Sequence, residues 1–214
     1  MGGTHVDLAV LVEEHGRAGS ALPVAELAVA TRLLAQLGHE AFDAAESGAE
    51  LVLPALASLE NSALHAQLDG TTLHLSGTTA PTTGLIEAHR ILLVAITDTG
   101  TEVAAVLPVD TVTDRTLETL DLTRSWSVAE IDVLLDEGNW SVLQPGTVAL
   151  LHDELATFRA LDALGAAAVW SMSQSNTPDS APSSTSRSQA SRRSNTAART
   201  WRSRSRPRAP HCGR

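Results

Sequence analysis

The sequence predicts an α+β fold: a short N-terminal helical segment, an antiparallel β-barrel or sandwich in the middle, one C-terminal helix and a disordered basic tail. Three observations carry this. Apolar residues recur at helical spacing up to about residue 48 and again after Pro145-Gly146. Short apolar runs broken by Asp-Gly and related turn signals fill the stretch between. The charge changes sign near residue 170. The implied division is 1–48, 49–144, 145–170 and 171–214.

Val6, Leu8, Ala9, Val10, Leu11 and Val12 predict a first helix over Val6–His15, with Gly16 and Gly19 as stop signals. Pro23 suits the first position of a second helix, whose Val24, Leu27, Ala28, Ala30, Leu34 and Leu37 share a face and whose C-cap is Gly38. A third short helix fits Glu40–Ser47. Leu51-Val52-Leu53 reads as a strand stopped by Pro54. Leu64–Leu68 and Thr72–Leu75 flank Asp69-Gly70, a hairpin signal; Ile91–Thr97 and Thr101–Leu107 flank Asp98-Thr99-Gly100, a second. Trp126–Leu135 holds one or two strands, with Asp136-Glu137-Gly138 as a turn. In the last helix Leu150, Leu151, Leu155, Phe158, Leu161, Leu164 and Ala168 form a stripe, and Gly165 permits a close helix crossing. A lone helix of this kind leaves Leu151, Leu155, Phe158 and Leu161 exposed or folded against the β unit.

Two hundred and fourteen residues with 43% hydrophobic content can bury a core. Cys212 is the only cysteine, which excludes a disulfide framework and a four-cysteine zinc site. No long uncharged apolar run and no basic leader is present, so the expectation is a soluble, cytoplasmic protein with no membrane partner. Residues 1–170 carry a net charge of −18 and residues 171–214 carry +8, with no lysine anywhere. The tail from Ser171 is too poor in aliphatic residues to offset chain entropy. Its arginines suit a nucleic-acid arm, but aromatic content is 3% and the stacking platform for nucleic acid is missing.

Neither a Gly-x-Gly-x-x-Gly nor a phosphate-loop motif occurs. His65 and His74 are expected to face each other across the Asp69-Gly70 hairpin, with His89 nearby, but no His-x-x-x-His spacing exists and no metal site is assigned. The cluster His152-Asp153-Glu154 fits a helix N-terminus, where carboxylates favour the dipole.

Val6–Arg17, the Leu73-His74-Leu75-Ser76-Gly77-Thr78 strand, Ala88–Ala95, the run Thr119-Leu120-Asp121-Leu122-Thr123-Arg124 and Leu161–Ala167 follow one another in an order and spacing that resemble the acyl-CoA dehydrogenase family. The resemblance implies FAD held between a middle β-domain and a C-terminal four-helix bundle. The substrate it implies is an acyl-CoA thioester, dehydrogenated between the α and β carbons by a carboxylate base and the flavin. Thr82 and Thr83 are the candidate cofactor contacts, in the loop Thr78–Gly84, and no residue is assigned as the base. Arg124 is expected to pair with Asp121 or Asp132. The family's flavin loop is replaced by Leu53-Pro54-Ala55-Leu56-Ala57, and its bundle is represented by one helix. Read one frame over, Gln174–Arg214 permits the family's later bundle sequence, so a frameshift near residues 168–174 is expected. The chain then reads as a truncated, inactive family member. The alternative is a non-catalytic subunit paired with a full-length member.

Overall fold

The structure, a computed structural model, describes residues 3–58, 63–121 and 123–175, and the side chains to residue 171. Helix α1 spans His5–Arg17, α2 Val24–Leu37 and α3 Phe42–Glu46. Thr4 caps α1 through a capping box with Asp7, which satisfies two orphan backbone donors. Gly38 closes α2 in the left-handed conformation, as expected of it. Nine strands follow: β1 Val52–Leu56, β2 Leu64–Asp69, β3 Thr72–Thr78, β4 Thr82–Thr83, β5 Arg90–Ile96, β6 Glu102–Pro108, β7 Thr113–Leu117, β8 Trp126–Leu135 and β9 Ser141–Val142. Helix α4, Thr147–Ser175, ends the described chain.

The strands form two sheets, β1-β5-β6-β9 and β2-β3-β8-β4, with β7 also paired to β8. No closed barrel forms among the described residues. Both expected hairpins are present, β2–β3 around Asp69-Gly70 and β5–β6 around Asp98-Thr99-Gly100. The first sheet is not wholly antiparallel: β1 runs parallel to β5, with Pro54 opposite Leu92. Pro54 therefore continues its strand instead of stopping it. It can do so because β1 lies at the end of its sheet, where a missing N–H interrupts no outer ladder.

The first sheet is buried on both faces, which explains the unbroken apolar run Ile91–Ala95. On one face Val52, Leu56, Leu92, Val94 and Ala104 join Val12, Val29, Leu33, Leu34, Leu151, Leu155 and Phe158 from the helices. On the other, Ala55, Ile91, Leu93, Val103 and Ala105 join Leu73, Leu75, Ala129 and Ile131 of the second sheet. Helix α4 is thus not left with a bare stripe. Leu151, Leu155 and Phe158 are buried against α1, α2 and the first sheet, and Leu161 packs at the edge of that cluster. The expected stripe was too wide: Leu150 and Leu164 lie on the outer side, 60% and 56% exposed.

The entry into α4 is held by a strand residue. The Glu102 carboxylate accepts hydrogen bonds from the backbone N–H groups of Gly146 and Val148, each at 2.8 Å. This satisfies donors that the first helical turn cannot satisfy itself, and places negative charge at the positive end of the helix. Gly16 is likewise not a stop. It is buried inside α1, where it meets α4.

A third glycine ties β3 to the approach of β2. Gly77 has φ +116°, and a Cβ there would lie 1.9 Å from the Ala63 carbonyl oxygen. Gly77→Ala combines backbone strain with a backbone clash, so it is expected to cost on the order of 2–3 kcal/mol. A urea titration of variant and parent measures that loss.

No helix among the described residues is long and apolar enough to cross a membrane. Helix α4 continues to Ser175, past the expected tail boundary at Ser171. Nearly all of Gln174–Arg214, the stretch read in the other frame, and all the tail arginines lie outside the described residues.

Candidate functional site

Strand β4 is only two residues long, yet it fixes both candidate cofactor contacts. Thr82 pairs with Ser127 and Thr83 with Trp126 of β8. The following Gly84 turns the chain at φ +72°, tight against Pro23. Both threonines are buried. The Thr82 hydroxyl donates to the Pro54 carbonyl of β1 at 3.3 Å.

Thr82 lines a recess of about 130 Å³ together with Pro54, Leu56, Ala80, Pro81 and one face of α4. The α4 residues are His152, Leu155, Ala156 and Arg159, whose spacing of three and four places them on one side of a helix. His152 Nε2 donates to the Ala57 carbonyl at 2.8 Å. Arg159 donates through Nε and Nη2 to Glu26 Oε1, at 3.3 and 3.2 Å. Its guanidinium also lies 5.3 Å from the centre of the Trp126 ring, a cation–π distance. Thr83 faces a neighbouring cleft, with Pro23, Arg124, Trp126 and Asp162. The two predicted residues therefore do not share one cavity.

Beside that cleft, three elements meet in an ion cluster. Arg124 Nη1 donates to Asp162 Oδ2 at 2.5 Å and Nη2 to Oδ1 at 2.9 Å, a two-pronged pairing. Nη2 also donates to the Ser20 carbonyl at 3.0 Å. His15 Nδ1 lies 3.4 Å from Asp162 Oδ1. Burial alone would push the Asp162 carboxyl up; hydrogen bonding and charge from Arg124, helped by His15, more than offset it and hold it below the usual carboxylate range. The hydrogen bonds to Asp162 hold the Arg124 guanidinium above its ordinary value. The expected partners of Arg124 are engaged elsewhere. Asp121 accepts from the Thr123 backbone and hydroxyl, and Asp132 meets His74 Nε2 at 2.9 Å.

His65 stands opposite Ser76, and His74 opposite Gln67, so the two histidines are diagonal neighbours and not a facing pair. Glu154 pairs with Arg32 and His5, tying α4 to α2 and α1.

Whether these residues suit a flavin is decided by the recess. Drug-sized ligands occupy cavities of roughly 300–1,000 Å³, against about 130 Å³ here. No carboxylate lines the recess among the described residues. The buried polar atoms without a hydrogen-bond partner, His15 Nε2, Arg32 Nε, Arg124 Nε and Ser127 Oγ, belong to residues that do not line it. The residues lining the recess do not fit the cofactor that the sequence resemblance implies.

No protein-family model matches the chain, and no curated protein matches it. Solved structures do. The ChsE4-ChsE5 complex from Mycobacterium tuberculosis has a TM-score of 0.72 at 18% identity, over 85% of this chain and 52% of that one. The Tcur3481-Tcur3483 steroid ACAD, as a variant, has a TM-score of 0.68 at 20% identity, with the same coverage of 85% and 52%. A glutaryl-CoA dehydrogenase from Mycobacterium smegmatis in complex with FADH2 has a TM-score of 0.64 at 20% identity, over 78% of this chain and 48% of that one. The chain thus spans about half the length of these structures, and over that half it has the acyl-CoA dehydrogenase fold.

Proposed function

We propose that this chain is an acyl-CoA dehydrogenase-like flavoprotein in an incomplete form, inactive by itself. The observation that carries this is the recess between β1, β4 and α4. It has a β wall and one helical wall, and it lacks both the volume for a flavin and a carboxylate to act as base. In the proposed division, residues 1–48 are the end of a helical domain, 49–144 a middle β-domain with its two sheets stacked as a sandwich, and 145–170 the first helix of a C-terminal bundle. FAD and an acyl-CoA thioester are the cofactor and substrate class of the complete protein, and the cytoplasm is its proposed location. Thr82 and Thr83 stay the cofactor-facing positions of that complete form, in which Thr82 gives up its bond to Pro54.

A second reading has its own support. One of the matched structures is a complex of two named chains, which favours a non-catalytic subunit that pairs with a full-length dehydrogenase. Acyl-CoA oxidation with an artificial electron acceptor tests both. The chain alone is expected to give no turnover. Co-expression with complete acyl-CoA dehydrogenases from the same source separates the readings: co-purification of one of them, with turnover, supports the partner subunit, and its absence supports the inactive form.

A further inference from the structure

We infer that the recess is an internal lock that docks α4 on β1 and β4 without any cofactor, and that it admits no flavin. The inference deepens the dehydrogenase-like reading and rests on it. Three polar side chains line the recess among the described residues: Thr82, His152 and Arg159. Each is committed to a partner inside the protein.

Thr82 joins β4 to β1 through the Pro54 carbonyl. His152 joins α4 to the end of β1 through the Ala57 carbonyl. Arg159 joins α4 to α2 through Glu26 and to β8 through the Trp126 ring. Glu26 is itself only 5% exposed, so freeing Arg159 to meet a ligand would strand a buried carboxylate. Of the apolar lining, Leu56 and Leu155 belong to the helix-side core and cannot retreat without opening it. A flavin ring has a hydrogen-bonding edge that needs partners once it leaves water. Here each of the three side chains already holds a partner inside the protein, and turning them toward a ligand would break three contacts.

The test is titration of the full chain with FAD and with FMN, followed by thermal unfolding and by tryptophan fluorescence. A ligand held at a hundred times its Kd raises the melting temperature by several degrees. A flavin in the recess would also lie beside Trp126 and quench it. The expected result is a shift below about 1 °C, with no saturable quenching. A saturable rise, with quenching that Trp126→Phe abolishes, would overturn the inference. Quenching unchanged in Trp126→Phe places the flavin away from the recess and leaves the lock intact. The two levels fail separately. Flavin bound in the recess removes the lock and leaves the dehydrogenase-like reading standing. A closed recess with no turnover beside any full-length dehydrogenase leaves the lock standing and removes the partner reading.

Discussion

Gly165→Val is expected to destabilise the protein by about 3 kcal/mol or more, the cost of forcing apart two packed helices. Helices α1 and α4 cross with reciprocal glycines. A Cβ at Gly165 would lie 2.0 Å from the Glu13 carbonyl oxygen, and a Cβ at Gly16 would lie 2.0 Å from the Asp162 carbonyl oxygen. The obstruction is backbone on both sides, so no side chain can swing away to relieve it. Separation of the helices would also pull Phe158 and Val12 out of the shared core. Ala167→Val, on the exposed side of α4, is the control and is expected to change stability by no more than about 0.5 kcal/mol. Chemical denaturation of the two variants beside the parent measures both. Equal effects at 165 and 167 would mean that α4 does not dock on α1.

The second large effect sits next to that crossing. Removing one partner of a part-buried, two-pronged ion pair leaves the other without compensation, so Arg124→Ala is expected to cost about 2–4 kcal/mol. Asp162→Asn carries the pH dependence. The folded Asp162 carboxyl titrates below its ordinary value, so its contribution is complete above the unfolded value of about 3.9 and is lost as pH falls through the folded one. Parent and Asp162→Asn should therefore differ most near neutrality and converge in acid. Guanidinium titrations at several pH values would show it. A gap that widens as the pH falls would contradict the assignment.

Part of this architecture can be read without coordinates. The two hairpins carry Asp-Gly and Asp-Thr-Gly at their turns, a local signal that needs no partner. Gly38 ends α2 for a reason equally local. By contrast β4, β7 and β9 are invisible in the pattern. β4 and β9 are two residues each, too short to show a period. β7 is exposed or half-exposed along its whole length and so has no apolar alternation. Pro54 misled because sequence shows that an N–H is missing, but not that the strand lies at a sheet edge where none is required.

The site is less legible than the fold. Its residues come from β1, β4 and α4, far apart in the chain, and only tertiary packing brings them together. Thr82 and Thr83 were found through resemblance; that the Thr82 hydroxyl is already bonded to Pro54 depends on a parallel strand that no local signal announces. Asp121 stands three residues from Arg124 and was the natural partner on proximity. It instead accepts from Thr123, which leaves Arg124 free for Asp162 on α4. Charge and spacing suggested the residue types there, and the fold chose the pairs. Asp162 lies one turn before Gly165, so the close crossing expected of that glycine was the available hint that Asp162 faces inward.

The central claim is that the described half of an acyl-CoA dehydrogenase fold does not make a flavin site by itself. The most direct measurement is the flavin released on denaturing the natively purified full chain, counted per polypeptide. The account predicts essentially none, from a colourless protein. One flavin per chain, released from protein that also oxidises an acyl-CoA, would contradict it.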